Sequence, residues 1–309
     1  MSSGNKIAFL FLVLDDPHFP QIWDYYFKGY EHLINIYIHP KYPERHTWKP
    51  EKIVSNLQET GWGFITRAYI SLLTPAYENK ENAYFITISE SCVPVKPFRH
   101  LYMHLFPTPM SVPKSMIKFM KVSKYDYEAR LMSHYNQMRE RNNQIKEQNA
   151  KKIILPNLGK PIKHYARFGI NRPHTKLIME VQQQNKLEFY HTMHVGDEFW
   201  LNSIYPKLSM HSLETSEITF DDWDYVKIKV NDINKEIENY YVMQENGDSD
   251  ETIKEKIDVL KAKKNDIAKN PKSITILDET DITQMQTTSA YFYRKFTKQS
   301  NVQEYMKMD

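Results

Sequence analysis

Ile7-Ala8-Phe9-Leu10-Phe11-Leu12-Val13-Leu14 runs apolar without a break, almost at the N-terminus. A run with no polar alternation predicts a strand covered on both faces. Asp15-Asp16-Pro17-His18-Phe19-Pro20 follows as a loop, and Ile22, Tyr25, Tyr26, Gly29 and Leu33 then fall at helical spacing. Asn35-Ile36-Tyr37-Ile38-His39 reads as a second strand, stopped by Pro40. Residues 62–77 read as a helix, with Ile65, Ala68, Tyr69, Leu72 and Leu73 on one face. Tyr84-Phe85-Ile86-Thr87-Ile88 is a third strand, and Ser89-Glu90-Ser91-Cys92-Val93-Pro94 stands at its C-terminal end. The order β-α-β-α-β predicts an α/β fold with a mainly parallel central sheet flanked by helices. Ligands of such sheets sit just beyond the C-terminal strand ends, which points to the loops at Asp15, His39 and Ser89.

Composition narrows the function classes. With 41 basic and 38 acidic residues, the net charge of +3 is too balanced for a nucleic-acid partner. The 21 Tyr, 15 Phe and 5 Trp supply a substantial core and exclude a disordered chain. Only 8 Gly exclude a collagen-like chain, and neither a P-loop nor a glycine-rich dinucleotide fingerprint occurs. One Cys excludes a disulfide scaffold. The run at 7–14 is far shorter than the about 20 residues of a spanning helix. Only Lys6 precedes it and Asp15-Asp16-Pro17 follows, which is not a signal-peptide outline. No membrane span is expected, and a soluble, cytoplasmic location follows, in the host cytoplasm if the chain is viral.

Residues 121–152 are polar and helix-prone, and their plain reading is a solvated helix. Residues 227–270 form a second such zone, split by Glu245-Asn246-Gly247-Asp248-Ser249-Asp250, which predicts an antiparallel helical hairpin. Val259 and Leu260 give its second arm a thin apolar stripe. The hairpin is expected to project as a solvated insertion, or else to make a homodimer contact burying Val259, Leu260 and Tyr241 between chains.

Three clusters are candidates for chemistry. His191 and His194 are three apart with no third ligand nearby and read as structural or solvated histidines. Asp221-Asp222-Trp223-Asp224 contains the Asp-x-Asp spacing that holds a divalent metal in many nucleotide-sugar enzymes, but its plainer reading is a turn or helix cap. In Val195-Gly196-Asp197-Glu198-Phe199-Trp200-Leu201, the two acids would open a helix carrying Phe199, Trp200, Leu201, Ile204 and Tyr205. Acids suit a helix N-terminus, but a carboxylate beside large aromatics also makes a general base in a dry cleft. Near the end, Pro271-Lys272-Ser273-Ile274 and Tyr291-Phe292-Tyr293-Arg294-Lys295-Phe296 offer cations in apolar surroundings, able to clamp a diphosphate or merely to decorate a surface.

In this order the blocks resemble the core-2/I-branching β1,6-N-acetylglucosaminyltransferase family (glycosyltransferase family 14), closest to its plant-type branch. Residues 7–12, Trp23 with Phe27-Lys28-Gly29-Tyr30-Glu31, and Ile36-Tyr37-Ile38-His39 are similar to that branch's opening. Trp62-Gly63 and Ser89-Glu90-Ser91-Cys92-Val93-Pro94 resemble its next blocks. Asp197-Glu198, Thr219-Phe220-Asp221-Asp222-Trp223 and Arg294-Lys295-Phe296 resemble its Asp-Glu pair, its Thr-Trp-x-Asp-Trp block and its closing Arg-Lys-Phe. Residues 165–171 are only loosely similar to the block before the Asp-Glu pair, and 227–270 reads as an insertion.

The resemblance implies one glycosyltransferase-A type domain over residues 1–309. It implies an inverting, metal-independent transferase that moves a sugar, N-acetylglucosamine first, from a UDP-sugar to a glycan or glycosylated-protein acceptor. Xylose transfer, and an inactive sugar-nucleotide fold serving as a binding module, are the alternatives. Glu198 takes the place of the family's catalytic base. Lys272, Arg294 and Lys295 fall where basic residues hold the donor diphosphate in place of a metal, so no cofactor is expected. His39, Lys41, Ser89, Glu90, Ser91, Asp197 and Trp200 are the candidates to line the donor and acceptor cleft. His39 stands where animal members carry an Asp associated with the nucleotide base, and Cys92 replaces another Asp of those members.

Overall fold

The computed structural model describes residues 5–123, 162–192, 195–208, 212–245, 251–268 and 270–306. Most of the polar segment at 121–152, the hairpin turn after Glu245, and His194 lie outside them. The strands are β1 (Lys6–Val13), β2 (Ile34–Pro40), β3 (Asn82–Ser89), β4 (Val93–Pro94), β5 (Ser115–Met116), β6 (Phe119–Lys121), β7 (Ile162–His164), β8 (Gly169–Asn171), β9 (Leu213–Glu214), β10 (Thr219–Asp221) and β11 (Phe292–Arg294). The helices are α1 (Pro20–Phe27), α2 (Thr66–Glu78), α3 (Phe98–Leu105), α4 (Arg172–Gln183), α5 (Glu188–Thr192), α6 (Trp223–Glu245), α7 (Glu251–Ile267), α8 (Glu279–Thr287) and α9 (Val302–Tyr305).

The central sheet has the order β2-β1-β3-β8-β5-β9. It is mainly parallel, with β8 antiparallel to both neighbours. β1 is buried from Ile7 to Val13, as its unbroken apolar run requires. Strand side chains alternate in direction, so its two sets of residues enter two cores. Ala8, Leu10 and Leu12 pack with Ala68, Tyr69, Leu72 and Leu73 of α2. Ile7, Phe9 and Phe11 pack with Trp23, Tyr26 and Phe27 of α1 and with Phe98 of α3. Phe9 meets Phe27 edge-on at 4.8 Å between ring centroids, a geometry that aromatic quadrupoles favour. The expected α/β architecture is therefore present. Among the described residues no helix is long and apolar enough to cross a membrane.

Two boundaries differ from expectation. The first helix stops at Phe27 and does not reach Leu33, because Gly29 adopts φ +83°, a conformation costly for any other residue. A 3₁₀ turn, Glu31–Leu33, follows. The hairpin begins at Trp223, ahead of the expected 227, because the Trp223 block is itself the first turn of α6.

Ile233, Ile237, Ile253, Ile257 and Leu260 form a core private to α6 and α7. Leu260 thus faces its own hairpin and is not available to a second chain, whereas Val259 and Tyr241 are exposed. Replacing residues 230–266 with a short Gly/Ser linker is expected to leave the rest folded, with Tm moved by no more than about 4 °C. Loss of a cooperative melt would show that the hairpin belongs to the main core.

Candidate active site

β1, β2 and β3 end in register, with Leu12 opposite both His39 and Ser89. The loops beyond this line are tied together by polar contacts. Lys298 pairs with Asp15 at 2.8 Å. Asp16 accepts from Thr47 N at 2.9 Å and Trp48 N at 3.0 Å, and His18 Nδ1 donates to Phe296 O at 2.7 Å. His39 is fully buried, and its Nε2 accepts from Gln58 N at 2.8 Å. Burial lowers its pKa, which keeps the ring neutral as that bond requires. His39 therefore anchors the loop that carries Gln58. Lys41 is exposed, 5.4 Å from the Tyr42 ring centroid. Ser89 and Ser91 are also buried, with Ser89 Oγ 3.2 Å from Cys92 Sγ, so they brace the turn after β3. Glu90 alone in that turn is half-buried.

A second sheet, β10-β11-β4, carries the C-terminal cations. The ladder sets Asp221 opposite Arg294, and Arg294 Nη1 pairs with Asp221 Oδ1 at 2.9 Å. Asp222 Oδ1 accepts from Tyr225 N at 2.9 Å and so caps α6, while Asp224 pairs with Lys227. The Asp-x-Asp segment is thus engaged in a strand pair, a cap and a surface ion pair. Among the described residues no group of three His, Cys, Asp or Glu has the arrangement of a metal site.

Lys272 and Lys295 line one cavity of about 260 Å³ with Tyr225, Asn270 and Ser273. Lys295 Nζ donates to Asn270 Oδ1 at 3.1 Å. Burial, with Arg294 and Arg167 nearby, lowers its pKa. Lys272 is differently placed, because its ammonium donates to Asp281 at 2.7 Å and Asp278 at 3.0 Å. Burial opposes its charge, but those bonds outweigh burial and raise its pKa. A larger groove of about 640 Å³, lined by Tyr26, Tyr30, Pro94 and Met285 among others, contains none of these cations or the acidic pair.

Asp197 and Glu198 lie on a 3₁₀ turn, Gly196–Glu198. Two further 3₁₀ turns, Trp200–Ser203 and Tyr205–Lys207, replace the helix expected there. The turn is entered through Val195 at φ +57°, a rare conformation for a β-branched residue. Phe199, Trp200, Leu201 and Ile204 are fully buried beneath it. Trp200 stacks on Tyr69 (6.4 Å, 18°) and packs on Phe168 at 5.8 Å. It supports the acidic turn from inside. Glu198 keeps a quarter of its side chain exposed and pairs with Lys163 at 3.1 Å. Asp197 is buried, its Oδ1 without a hydrogen-bond partner. Burial and the Glu198 charge push its pKa up to about 6, against the pull of Arg167 and Lys163.

Arg167 and Lys163 are the residues that sequence reasoning did not single out. Arg167 Nη1 donates to Tyr69 Oη at 2.8 Å. The carboxylates of Asp221 and Glu90 favour its charge despite burial. It thus joins the turn after β3, the Asp221–Arg294 pair, Lys295 and Asp197 in one electrostatic cluster. The Tyr165 phenol is raised by burial and by the charges of Asp221, Glu198 and Asp224. His191 is partly buried, which lowers its pKa, and it lies apart on α5.

A family model described as Core-2/I-Branching enzyme matches residues 7–264. The match covers most of the chain, and the chain belongs to that family of glycosyltransferases. Lys272, Arg294 and Lys295 lie beyond the matched stretch. No curated protein matches the chain.

Proposed function

We propose that this Core-2/I-branching family member is an inverting transferase of glycosyltransferase-A type. It would move a sugar, N-acetylglucosamine first, from a UDP-sugar to a hydroxyl of a glycan or glycosylated-protein acceptor, without a metal ion. One observation carries the reading. A partly exposed carboxylate, Glu198, stands paired with Lys163 on the acidic turn, and a partly buried cation, Lys295, lines a cavity with Lys272.

An acceptor hydroxyl is a poor nucleophile at neutral pH. Glu198 takes its proton as the oxygen attacks the donor's anomeric carbon, and the bond to the nucleoside diphosphate breaks. Negative charge then grows on the departing β-phosphate. Lys295, with Arg294 behind it, stabilises that charge, and Lys272 reaches the same cavity. One displacement inverts the anomeric centre. A second reading, a binding module without catalysis, draws on the two aspartates that occupy Lys272.

A panel of nucleotide sugars assayed for transfer and hydrolysis separates the readings. Turnover of a UDP-sugar that persists in excess EDTA is the expected result. Activity lost on chelation and restored by manganese would promote Asp222 and Asp224 to ligands. Donor binding with no turnover of any sugar would favour the binding module.

A further inference from the structure

Asp278 and Asp281 open α8 with a capping box in which each carboxylate spends only one oxygen. Asp278 Oδ1 accepts from Asp281 N at 2.7 Å, and Asp281 Oδ2 accepts from Asp278 N at 3.2 Å. The remaining oxygens, Asp278 Oδ2 and Asp281 Oδ1, both take Lys272 Nζ. The ammonium also lies 5.1 Å from the Tyr225 ring centroid, at the cavity that Lys295 shares. One cation held by two anions carries a net charge of −1. An entering diphosphate therefore meets Lys295 as a cation and Lys272 as part of an anionic group.

The two aspartates are not equivalent. The Asp281 side chain is 0% exposed, while that of Asp278 is 57% exposed. A buried partner fixes geometry, and an exposed one mainly adds a screened charge. We infer that Asp278 and Asp281 are positioning residues for the donor site: Asp281 anchors the Lys272 ammonium at the cavity wall, and Asp278 holds diphosphate affinity down by neutralising it. This rests on the donor-diphosphate reading above.

Asp278→Asn removes the charge and keeps the cap, because Asn caps helices as well as Asp does. UDP, GDP, ADP and uridine are titrated calorimetrically into the parental protein, Asp278→Asn, Asp281→Asn and Lys295→Met, at low and high salt. For the diphosphate the parental protein binds best, Asp278→Asn is expected to bind about three- to tenfold tighter at low salt, as one charge a few ångströms away implies. The gain shrinks at high salt and is absent for uridine, which a change in folding alone would not produce. Asp281→Asn removes the same charge but frees the ammonium from the cavity wall, so its gain is smaller than that of Asp278→Asn. Unchanged or weaker diphosphate binding by Asp278→Asn, or an equal gain for uridine, overturns the inference. If that result comes while Lys295→Met abolishes binding, the donor reading stands and only this inference falls. A parental protein that binds none of the three diphosphates removes both.

Discussion

Glu198→Gln is expected to lower sugar transfer about 10²–10⁴-fold, the usual scale for loss of a general base. The amide matches the carboxylate in size and can still accept from Lys163, which sits 3.1 Å from Glu198 Oε2. It cannot take the acceptor's proton. Glu198 does not line the cavity shared by Lys272 and Lys295, so donor affinity should be nearly unchanged. The loss should therefore fall on kcat, the signature of an interaction needed only in the transition state. Donor titration and steady-state kinetics on the purified variant check both halves. Transfer at the parental rate would pass the role to Asp197. Because Phe199, Trp200 and Leu201 are packed solidly beneath the turn, the substitution should not disturb the fold.

The first strand was legible because a strand covered on both faces leaves little room for a polar residue, and residues 7–14 contain none. The Asp197-Glu198 pair was legible as chemistry but not as geometry. Acids followed by spaced aromatics fit a helix start, yet Val195 in the left-handed region and Pro206 within the third turn divide the segment into 3₁₀ pieces. Trp200 illustrates the limit of composition, since an aromatic near an acid can line a cleft or support its floor. Burial decides, and burial here comes from Tyr69 and Phe168, far away in sequence. Arg167 was hidden for the same reason. Its partners Tyr69, Glu90 and Asp221 arrive from three separate segments. The capture of Lys272 had a readable signal, because Asp278-x-x-Asp281 ahead of a helix is a capping-box pattern. What the pattern does not disclose is that the spare oxygens turn towards a lysine.

Asp197→Asn is expected to make the protein more stable at neutral pH, by about 1–3 kcal/mol. The fold lifts the Asp197 pKa from the ordinary 3.8 to about 6, so the folded state holds its proton more tightly than the unfolded chain does. Below the unfolded value both states are protonated, and the group has no effect on their balance. As pH rises from there the unfolded chain releases its proton first, and stability falls. Above about 6 the folded state must carry a buried charge with one oxygen unbonded, and the penalty levels off at about 2–3 kcal/mol. The amide carries no charge at any pH. The stability difference between variant and parent should therefore be near zero below about pH 4, grow through the window, and flatten above pH 7. Urea unfolding across that range measures it, and taking the difference cancels the histidines, which titrate equally in both proteins. A flat difference would show that Asp197 is as solvated as any surface acid. The same variant bears on function. An ionised Asp197 next to Glu198 costs stability, and a cost of this kind persists where activity needs the charge. An Asp197→Asn protein that melts higher yet transfers sugar more slowly would show that the buried carboxylate is retained for the reaction. One that melts higher at full activity would leave the chemistry to Glu198 alone.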